Sequence, residues 1–296
     1  MIDGLRAFAL ILLVALVATT SEPLQARSAQ TEAALSAARA GDPDRAVVSI
    51  EASTKASPRD ADAWMIQGSL LCSLAQSGSK LKAIGRAKRC RDAFAQAVVF
   101  DPVNMDANIG LMQFYYGAPS FAGGDKAKGD AVIEATRATA PALHALMLGI
   151  KAVMAKDSRT AERQYLRAVA LAPADARMHT MLISTYASQK AYAQAFAAAQ
   201  AGFSKLAGDP AIRFQFGRTA AISGQKLAEG LAHLDALAAT ETLPTTVSRA
   251  GIAFRRGMIL AQSGRRPEAR AAYAAAKKLD VRLAREVDPE LAKLKS

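Results

Sequence analysis

Two stretches of this 296-residue chain share one pattern of small and aromatic residues. Residues 146–173 read LMLGIKAVMAKDSRTAERQYLRAVALAP, and residues 254–276 read FRRGMILAQSGRRPEARAAYAAA. Spacings of 12, 4 and 3 residues separate Gly149, Ala161, Tyr165 and Ala168 in the first stretch and Gly257, Ala269, Tyr273 and Ala276 in the second. Self-similarity of this kind indicates a repeat architecture.

These residues resemble the tetratricopeptide repeat (TPR) family, whose unit of about 34 residues is a pair of helices. In that family, small residues let the two helices approach closely, and a proline ends the second helix. The resemblance implies an all-α fold, a TPR-like α-solenoid of about seven helical hairpins in a right-handed superhelix. The expected solenoid covers residues 27–280, and residues 281–296 are expected to form a C-terminal capping helix.

Residues 1–26 are expected to form a secretory signal peptide. Arg6 precedes an unbroken apolar run of 12 residues, 7–18, and small and polar residues follow before Pro23. A membrane span needs roughly 20 apolar residues, so cleavage is favoured over an N-terminal membrane anchor. A cut near Ala26 is favoured over one near Thr20. The sequence therefore predicts a periplasmic or secreted protein.

Repeat two is longer than the family unit. Trp64 and Pro102 lie 38 residues apart, which implies an insertion of about ten residues in the hairpin at 62–100. We expect both helices to gain about a turn and a half. If Gly68 faces Cys90, then Cys72 lies a turn higher, and two buried thiols are favoured over a disulfide. The even cysteine count, 2, leaves the disulfide open.

The stretch from Phe114 to Gly124 departs from the pattern in repeat three. Pro119 must end a helix, and the pair Gly123-Gly124 predicts a mobile loop before the next one. Together with the long hairpin, this stretch is similar to a subgroup of exported bacterial TPR proteins. That resemblance implies no particular activity.

The resemblance also implies a concave groove, lined by the first helices, that binds a peptide or another protein. The residues that family geometry points into this groove are Ile109, Gln113, Tyr116, Leu143, Leu146, Ile150, Val153, Phe214, Arg218, Phe254 and Met258. The four apolar residues from Leu143 to Val153 require a cover. Either a bound partner or a neighbouring helix of the chain would supply it.

The chain is strongly basic, with a formal net charge of +12. Six basic residues lie close together in repeat two with no acid between Lys80 and Arg91: Lys80, Lys82, Arg86, Lys88, Arg89 and Arg91. This basic patch is either a solvated helix face or a docking site for an acidic partner or an anionic membrane. Nucleic acid is not an expected partner of an exported chain.

Groups for catalysis are scarce. The three histidines, His144, His179 and His233, stand in different repeats without metal-ligand spacing. Neither a phosphate-binding loop nor a serine nucleophile turn is present. We expect no cofactor, metal, catalytic residue or small-molecule substrate. The sequence thus predicts a non-catalytic periplasmic interaction scaffold or assembly factor; the alternative is a surface-associated binder of acidic polymer or anionic membrane.

Overall fold

The computed structural model of the chain describes residues 28–75, 80–244 and 246–294. These residues form fifteen α-helices and no β-strand. The helices are α1 (Ala29–Arg39), α2 (Pro43–Ala56), α3 (Ala61–Ala75), α4 (Lys80–Phe100), α5 (Met105–Gly117), α6 (Lys126–Ala135), α7 (Pro141–Met154), α8 (Ser158–Leu171), α9 (Ala176–Ser188), α10 (Tyr192–Lys205), α11 (Pro210–Ser223), α12 (Leu227–Ala239), α13 (Arg249–Gln262), α14 (Arg266–Leu279) and α15 (Ala284–Lys293). The predicted signal peptide lies outside the described residues.

The first fourteen helices form seven successive pairs, from α1–α2 to α13–α14, and α15 packs on α14. We call the first helix of a pair its A helix and the second its B helix. Neighbouring A helices also touch, as α9 does α11 and α11 does α13. This arrangement confirms the predicted all-α repeat fold. None of the described helices has the length and apolar character needed to cross a membrane.

The chain forms two compact units, one ending at Met147 and the other beginning at Leu148. Side-chain caps start many of the helices in both. Four of these caps accept a hydrogen bond from a backbone N–H of the first turn: Asp42 from Arg45, Asn104 from Ala107, Asp157 from Thr160 and Asp209 from Ile212. Each cap of this type stabilises its helix by about 1 kcal/mol.

A polar side chain early in several A helices binds the loop that precedes it. Trp64 Nε1 donates to the Pro58 carbonyl at 2.8 Å, Asn108 Nδ2 to that of Pro102 at 3.0 Å, and His179 Nε2 to that of Pro173 at 2.9 Å. Because a carbonyl oxygen only accepts, this contact places a proton on Nε2 of His179. The bond gives that histidine a structural role in its repeat.

The two helices of a pair meet where an A-helix glycine lies against a buried B-helix ring. A Cβ atom would lie 2.7 Å from Phe94 Cδ1 if added to Gly68, 2.4 Å from Tyr165 Cε1 on Gly149, and 2.6 Å from Tyr273 Cδ1 on Gly257. Real Cβ atoms do not approach other atoms this closely, so only glycine fits. The three rings are buried. This contact sets both the spacing and the offset of the paired helices.

The same offset brings the two cysteines together. Gly68 lies level with Phe94 rather than with Cys90, which places Cys72 opposite Cys90. The two residues form a disulfide with a Cα–Cα distance of 5.2 Å. The preference for two buried thiols is therefore wrong, because it assumed a pairing about one helical turn away from the real one.

In the described residues, the lengthening of repeat two lies in its B helix. The A helix α3 has 15 described residues, close to the 14 of α7 or α13, whereas the B helix α4 has 21. The described extra length is therefore almost entirely in α4. Two ion pairs hold this long helix to α2: Arg86 with Asp44 at 3.3 Å, and Arg89 with Glu51.

The pair Gly123-Gly124 predicts a mobile loop between α5 and α6. In the structure this segment is a compact turn. Gly124 packs so closely that an added Cβ would lie 1.8 Å from the Ala118 carbonyl oxygen. Its N–H donates to the Pro119 carbonyl at 3.1 Å, and the N–H of Asp125 donates to that of Tyr115 at 2.9 Å. Gly123 has a φ of 101°, which favours glycine. Glycine here permits close packing.

The glycine–ring contact predicts opposite effects for two alanine substitutions in the repeat-two hairpin. Gly68→Ala is expected to lower the free energy of unfolding by about 1–3 kcal/mol, because the new methyl group overlaps the buried Phe94 ring. Gly85→Ala in α4 is the control, since its added Cβ meets nothing within 4 Å. It should raise stability by about 0.5–1 kcal/mol. Thermal unfolding followed by circular dichroism measures both; equal effects would show that the ring does not set the spacing.

Candidate functional site

The predicted groove residues of the first unit are largely covered. Gln113 is buried, and Ile109 and Tyr116 are half-buried. The Tyr116 hydroxyl donates to the Asp130 carboxylate on α6, so it is engaged within its own repeat. Little of this part of the predicted groove is available to a partner.

The apolar residues predicted on α7 are mostly interior. Leu143, Leu146 and Ile150 are 3, 1 and 6% exposed, and only Val153, at 49%, reaches the surface. The sequence left open whether a bound partner or the chain itself covers these residues. The chain itself covers Leu143, Leu146 and Ile150. The predicted groove is not centred on an exposed apolar patch at these positions.

Most of the described guanidinium groups of the predicted basic patch have partners. Arg86 and Arg89 pair with acids of α2, and Arg91 pairs with Asp92 at 2.6 Å. Lys82 and Lys88 are exposed, and the side chain of Lys80 lies outside the described part of the chain. No acid lies between Lys80 and Arg91 in the sequence, but acids of α2 pair with Arg86 and Arg89, and Asp92 pairs with Arg91.

In the second unit, two arginines lie on consecutive A helices. Arg218 is on α11 and Arg255 is on α13, and both are half-buried. Phe214 lies one turn before Arg218 on α11 and bridges the same two helices, since an added Cβ on Gly251 would lie 3.3 Å from Phe214 Cζ. We call the surface formed by Ser184, Phe214, Gln215, Arg218, Arg255 and Met258 the arginine face.

Among the described residues, Arg218 is held by neutral groups. Its Nη1 lies 3.4 Å from Ser184 Oγ on α9 and 3.3 Å from Gln215 Oε1 on its own helix. Both contacts are long for hydrogen bonds. Burial lowers the pKa of the Arg218 guanidinium. The group keeps its charge, and the direction of the change shows that the folded chain does not compensate this charge fully.

Arg255 has even weaker partners. Its guanidinium lies 4.9 Å from the centre of the Phe254 ring, and its Nη1 lies 3.0 Å from Met258 Sδ, a weak acceptor. Burial lowers its pKa, and the positive charge of Arg218 lowers it further, although Glu286 acts in the opposite direction. The two cations therefore act on each other across the arginine face.

The remaining groove residues divide by burial. Phe214 and Met258 are half-buried on the arginine face, whereas Phe254 is 6% exposed and packs in the core with its ring 5.8 Å from that of Tyr273. Phe254 therefore supports the face from below and does not line it. The surface that remains combines two cations, one aromatic ring and one thioether.

Arg255 was not among the residues predicted from the sequence. It adjoins Phe254 and Arg256 in a basic stretch, and nothing in that stretch tells which arginine is paired. Arg256 turns to Asp235 on α12 at 2.6 Å, whereas Arg255 turns to the arginine face. Only the three-dimensional arrangement separates the two roles.

The residues of the arginine face are better suited to binding a ligand than to catalysing a reaction. Arginine does not act as a proton-transfer group near neutral pH, because its guanidinium group stays protonated there. The described residues contain no group of three or more His, Cys, Asp and Glu side chains placed to hold a metal ion. The arginine face can instead donate several N–H groups in fixed directions to an anionic group of a ligand.

The fold and repeats define a class of protein, the helical-hairpin repeat proteins. The family model described as "Tetratricopeptide repeat" matches residues 31–74 and 146–209 of the chain. No curated protein sequence matches the chain.

Several solved structures share the fold at low sequence identity. A tetratricopeptide repeat protein from Parabacteroides merdae is similar with a TM-score of 0.50 and 13% identity, over 90% of this chain and 98% of that one. Yeast Tom70 is similar with a TM-score of 0.59 and 12% identity, over 99% of this chain and 61% of that one. Cut9, in the Cut9–Hcn1 hetero-tetramer of the APC/C, is similar with a TM-score of 0.53 and 13% identity, over 89% of this chain and 48% of that one. The chain thus spans about half to three fifths of Cut9 and Tom70.

Arg255 and Arg256 are adjacent but have different surroundings. We therefore expect their substitution to change stability differently. Arg255→Met should leave the free energy of unfolding unchanged or raise it by up to about 1 kcal/mol, because it removes a half-buried charge that has no ion-pair partner among the described residues and keeps the packing volume. Arg256→Met is the control and should lower stability by about 0.5–1 kcal/mol, because it leaves Asp235 unpaired. Thermal unfolding measures both. A larger loss at Arg255 would show that this residue has a structural role.

Proposed function

We propose that this chain is an exported, non-catalytic scaffold that binds a polypeptide partner on the arginine face. The observation that carries the proposal is the pair of half-buried arginines on neighbouring A helices with only weak neutral acceptors. In the free chain, these two guanidinium groups lack a strong acceptor. The half-buried Phe214 and Met258 beside them would add apolar contact area for a peptide.

The resemblance in fold supports a binding role. Cut9 is solved in a hetero-tetramer with Hcn1, so a TPR chain of this fold occurs in a protein assembly. The low identity transfers the fold alone, and the proposed binding role of this chain therefore depends on the arginine face. The second function considered, binding to anionic membrane or polymer through the basic patch, gains no support, because Arg86, Arg89 and Arg91 have acidic partners.

Two features support export. The apolar run of residues 7–18 has the layout of a signal peptide. The disulfide between Cys72 and Cys90 is typical of proteins in an oxidising compartment. Cleavage near Ala26 would also leave Ser28 in place, which caps α1 and lies 2.8 Å from Ser53 Oγ.

A photocrosslinking experiment tests the binding face. Benzoylphenylalanine in place of Phe214 is expected to capture a polypeptide in the cells that make this protein, because the ring lies beside the arginine face. The same group in place of Ala275, exposed on α14, is the matched control and should capture at least several-fold less. Mass spectrometry identifies the crosslinked segment, and a synthetic peptide of that segment should compete. Equal capture at both positions, or none at Phe214, would contradict the proposal.

Export is tested by comparing two preparations of the chain. Full-length protein made in an exporting host should begin near Arg27 and contain the oxidised Cys72–Cys90 pair. Chain 27–296 made in a reducing cytosol should have free thiols and unfold at a lower temperature, because the disulfide contributes roughly 3 kcal/mol. Replacing both cysteines by alanine should remove the difference. A full-length chain that keeps residues 1–26 and free thiols would rule out export.

A further inference from the structure

We propose that one edge of the second unit binds an anionic lipid surface. The edge is formed by the turns within repeats four to seven, which join the two helices of each pair from α7–α8 to α13–α14. We call it the lysine edge and define it by its exposed cations Lys156, Arg159, Lys190, Lys226 and Arg266. It shares no residue with the arginine face or with the basic patch of repeat two, and lipid binding here is independent of the proposed function.

Four of the within-repeat turns have the same backbone. The residue just before the cap of the B helix has a positive φ in each: 79° at Gly41, 75° at Gly264, and 60° at Lys156 and at Lys190. In all four, its N–H donates to the carbonyl three residues earlier at 3.0–3.1 Å, and the next N–H donates to the carbonyl five residues earlier at 2.9 Å. Two of the four turns therefore have lysine where the other two have glycine.

Lysine is costly at this position. A residue with a Cβ atom is strained in the left-handed region, whereas glycine is not, and asparagine tolerates that region better than lysine does. Packing does not require the longer side chain, since a Cβ added to Gly41 or Gly264 would meet nothing within 4 Å. Lys156 and Lys190 are exposed and have no ion-pair partner among the described residues. Strain that the fold does not need indicates a functional role for the positive charge.

The within-repeat turns lie along one edge of the second unit. Because each B helix returns the chain, neighbouring A helices run in the same direction, and α9 packs on α11 and α11 on α13. Six basic and three acidic residues occur in the turns that follow these A helices: 155–160, 189–192, 224–229 and 264–268. Three basic and three acidic residues occur in the turns between repeats: 172–177, 205–210 and 240–249. The excess of positive charge thus lies on the edge of the within-repeat turns.

The cations of the lysine edge differ in how free they are. Lys226 pairs with Glu229 at 3.6 Å, which makes it the least available. The other four are exposed and have no ion-pair partner in the part of the chain that the structure describes. They come from repeats four, five and seven, so their charges are spread along the edge. A ligand that engages them together must be both extended and anionic.

The chemistry of lysine and of its neighbours favours lipid headgroups. A lysine ammonium group is a point charge that suits phosphate, and it lacks the guanidinium fork that matches a carboxylate. Val153, 49% exposed, lies one turn before Lys156, and the half-buried Tyr192 follows Lys190 by two residues. Basic, tyrosine and apolar side chains close together are typical of proteins at a bilayer surface. A bilayer is also extended enough to meet all four cations at once.

Co-sedimentation with lipid vesicles tests the lysine edge. The exported chain should bind vesicles of mixed phosphatidylglycerol and phosphatidylcholine but not vesicles of phosphatidylcholine alone. The double variant Lys156→Gly/Lys190→Gly should weaken binding about 25-fold, since each lysine near an anionic membrane contributes roughly a factor of five. The same variant should raise the midpoint of thermal unfolding by about 2–4 °C per substitution, because glycine relieves the strain. Weaker binding by a more stable protein cannot result from unfolding.

Two further double variants are the controls. Lys205→Gln/Lys278→Gln removes the same net charge from exposed positions at the ends of α10 and α14, on the opposite edge. It should leave vesicle binding within about twofold of the unmodified chain, because membrane attraction acts over a short distance. Lys156→Arg/Lys190→Arg keeps both the charge and the strain, so it should retain vesicle binding and the midpoint of unfolding.

Four results would overturn the lipid-binding edge. Three are equal binding to neutral vesicles, no effect of Lys156→Gly/Lys190→Gly, and an equal loss in the Lys205→Gln/Lys278→Gln control, which would reflect net charge alone. The fourth is binding to inorganic polyphosphate without binding to vesicles, which would indicate a soluble polyanion instead. None of these results affects the crosslink at Phe214, so the proposed peptide-binding function is tested separately.

Discussion

A glycine against an aromatic ring sets the distance between the paired helices on which the rest of this fold depends. Gly149 and Tyr165 have this contact in one unit, and Gly68 and Phe94 have it in the other. The missing side chain lets the A-helix backbone touch the ring, and the ring fills the space that two helices would otherwise leave empty. A larger residue in the A helix or a smaller one in the B helix would disturb the same interface.

Phe94 extends this contact from one repeat to the next. Its ring also lies against Gly110 on α5, where an added Cβ would be 2.6 Å from Cζ. One side chain therefore fixes three helices, α3, α4 and α5, and sets the position of repeat three relative to repeat two. The disulfide between Cys72 and Cys90 reinforces the same offset one turn along the hairpin.

The local pattern was sufficient to predict the fold, since the glycine, alanine and ring spacings lie within one repeat. The local pattern was insufficient to predict contacts that depend on which residues of two paired helices lie opposite each other. The disulfide was misjudged because Cys90 was placed opposite Gly68, one turn away from its partner. The burial of Leu143 and Leu146 is likewise not revealed by any spacing within one repeat. Arg255 was missed because charge pairing joins residues that are distant in sequence, as Arg256 and Asp235 are.

Charge pairing engages part of the positive charge of this basic chain within the fold. The net charge of +12 suggests a diffuse positive field, yet Arg86, Arg89 and Arg256 are neutralised by acids on adjacent helices. These pairs hold one helix to another, so they are unavailable to a partner. Arg218 and Arg255 differ because no acid of the described chain lies within ion-pair distance of either. A scaffold needs a surface that is less stable alone than in a complex, and an uncompensated pair of half-buried cations is such a surface.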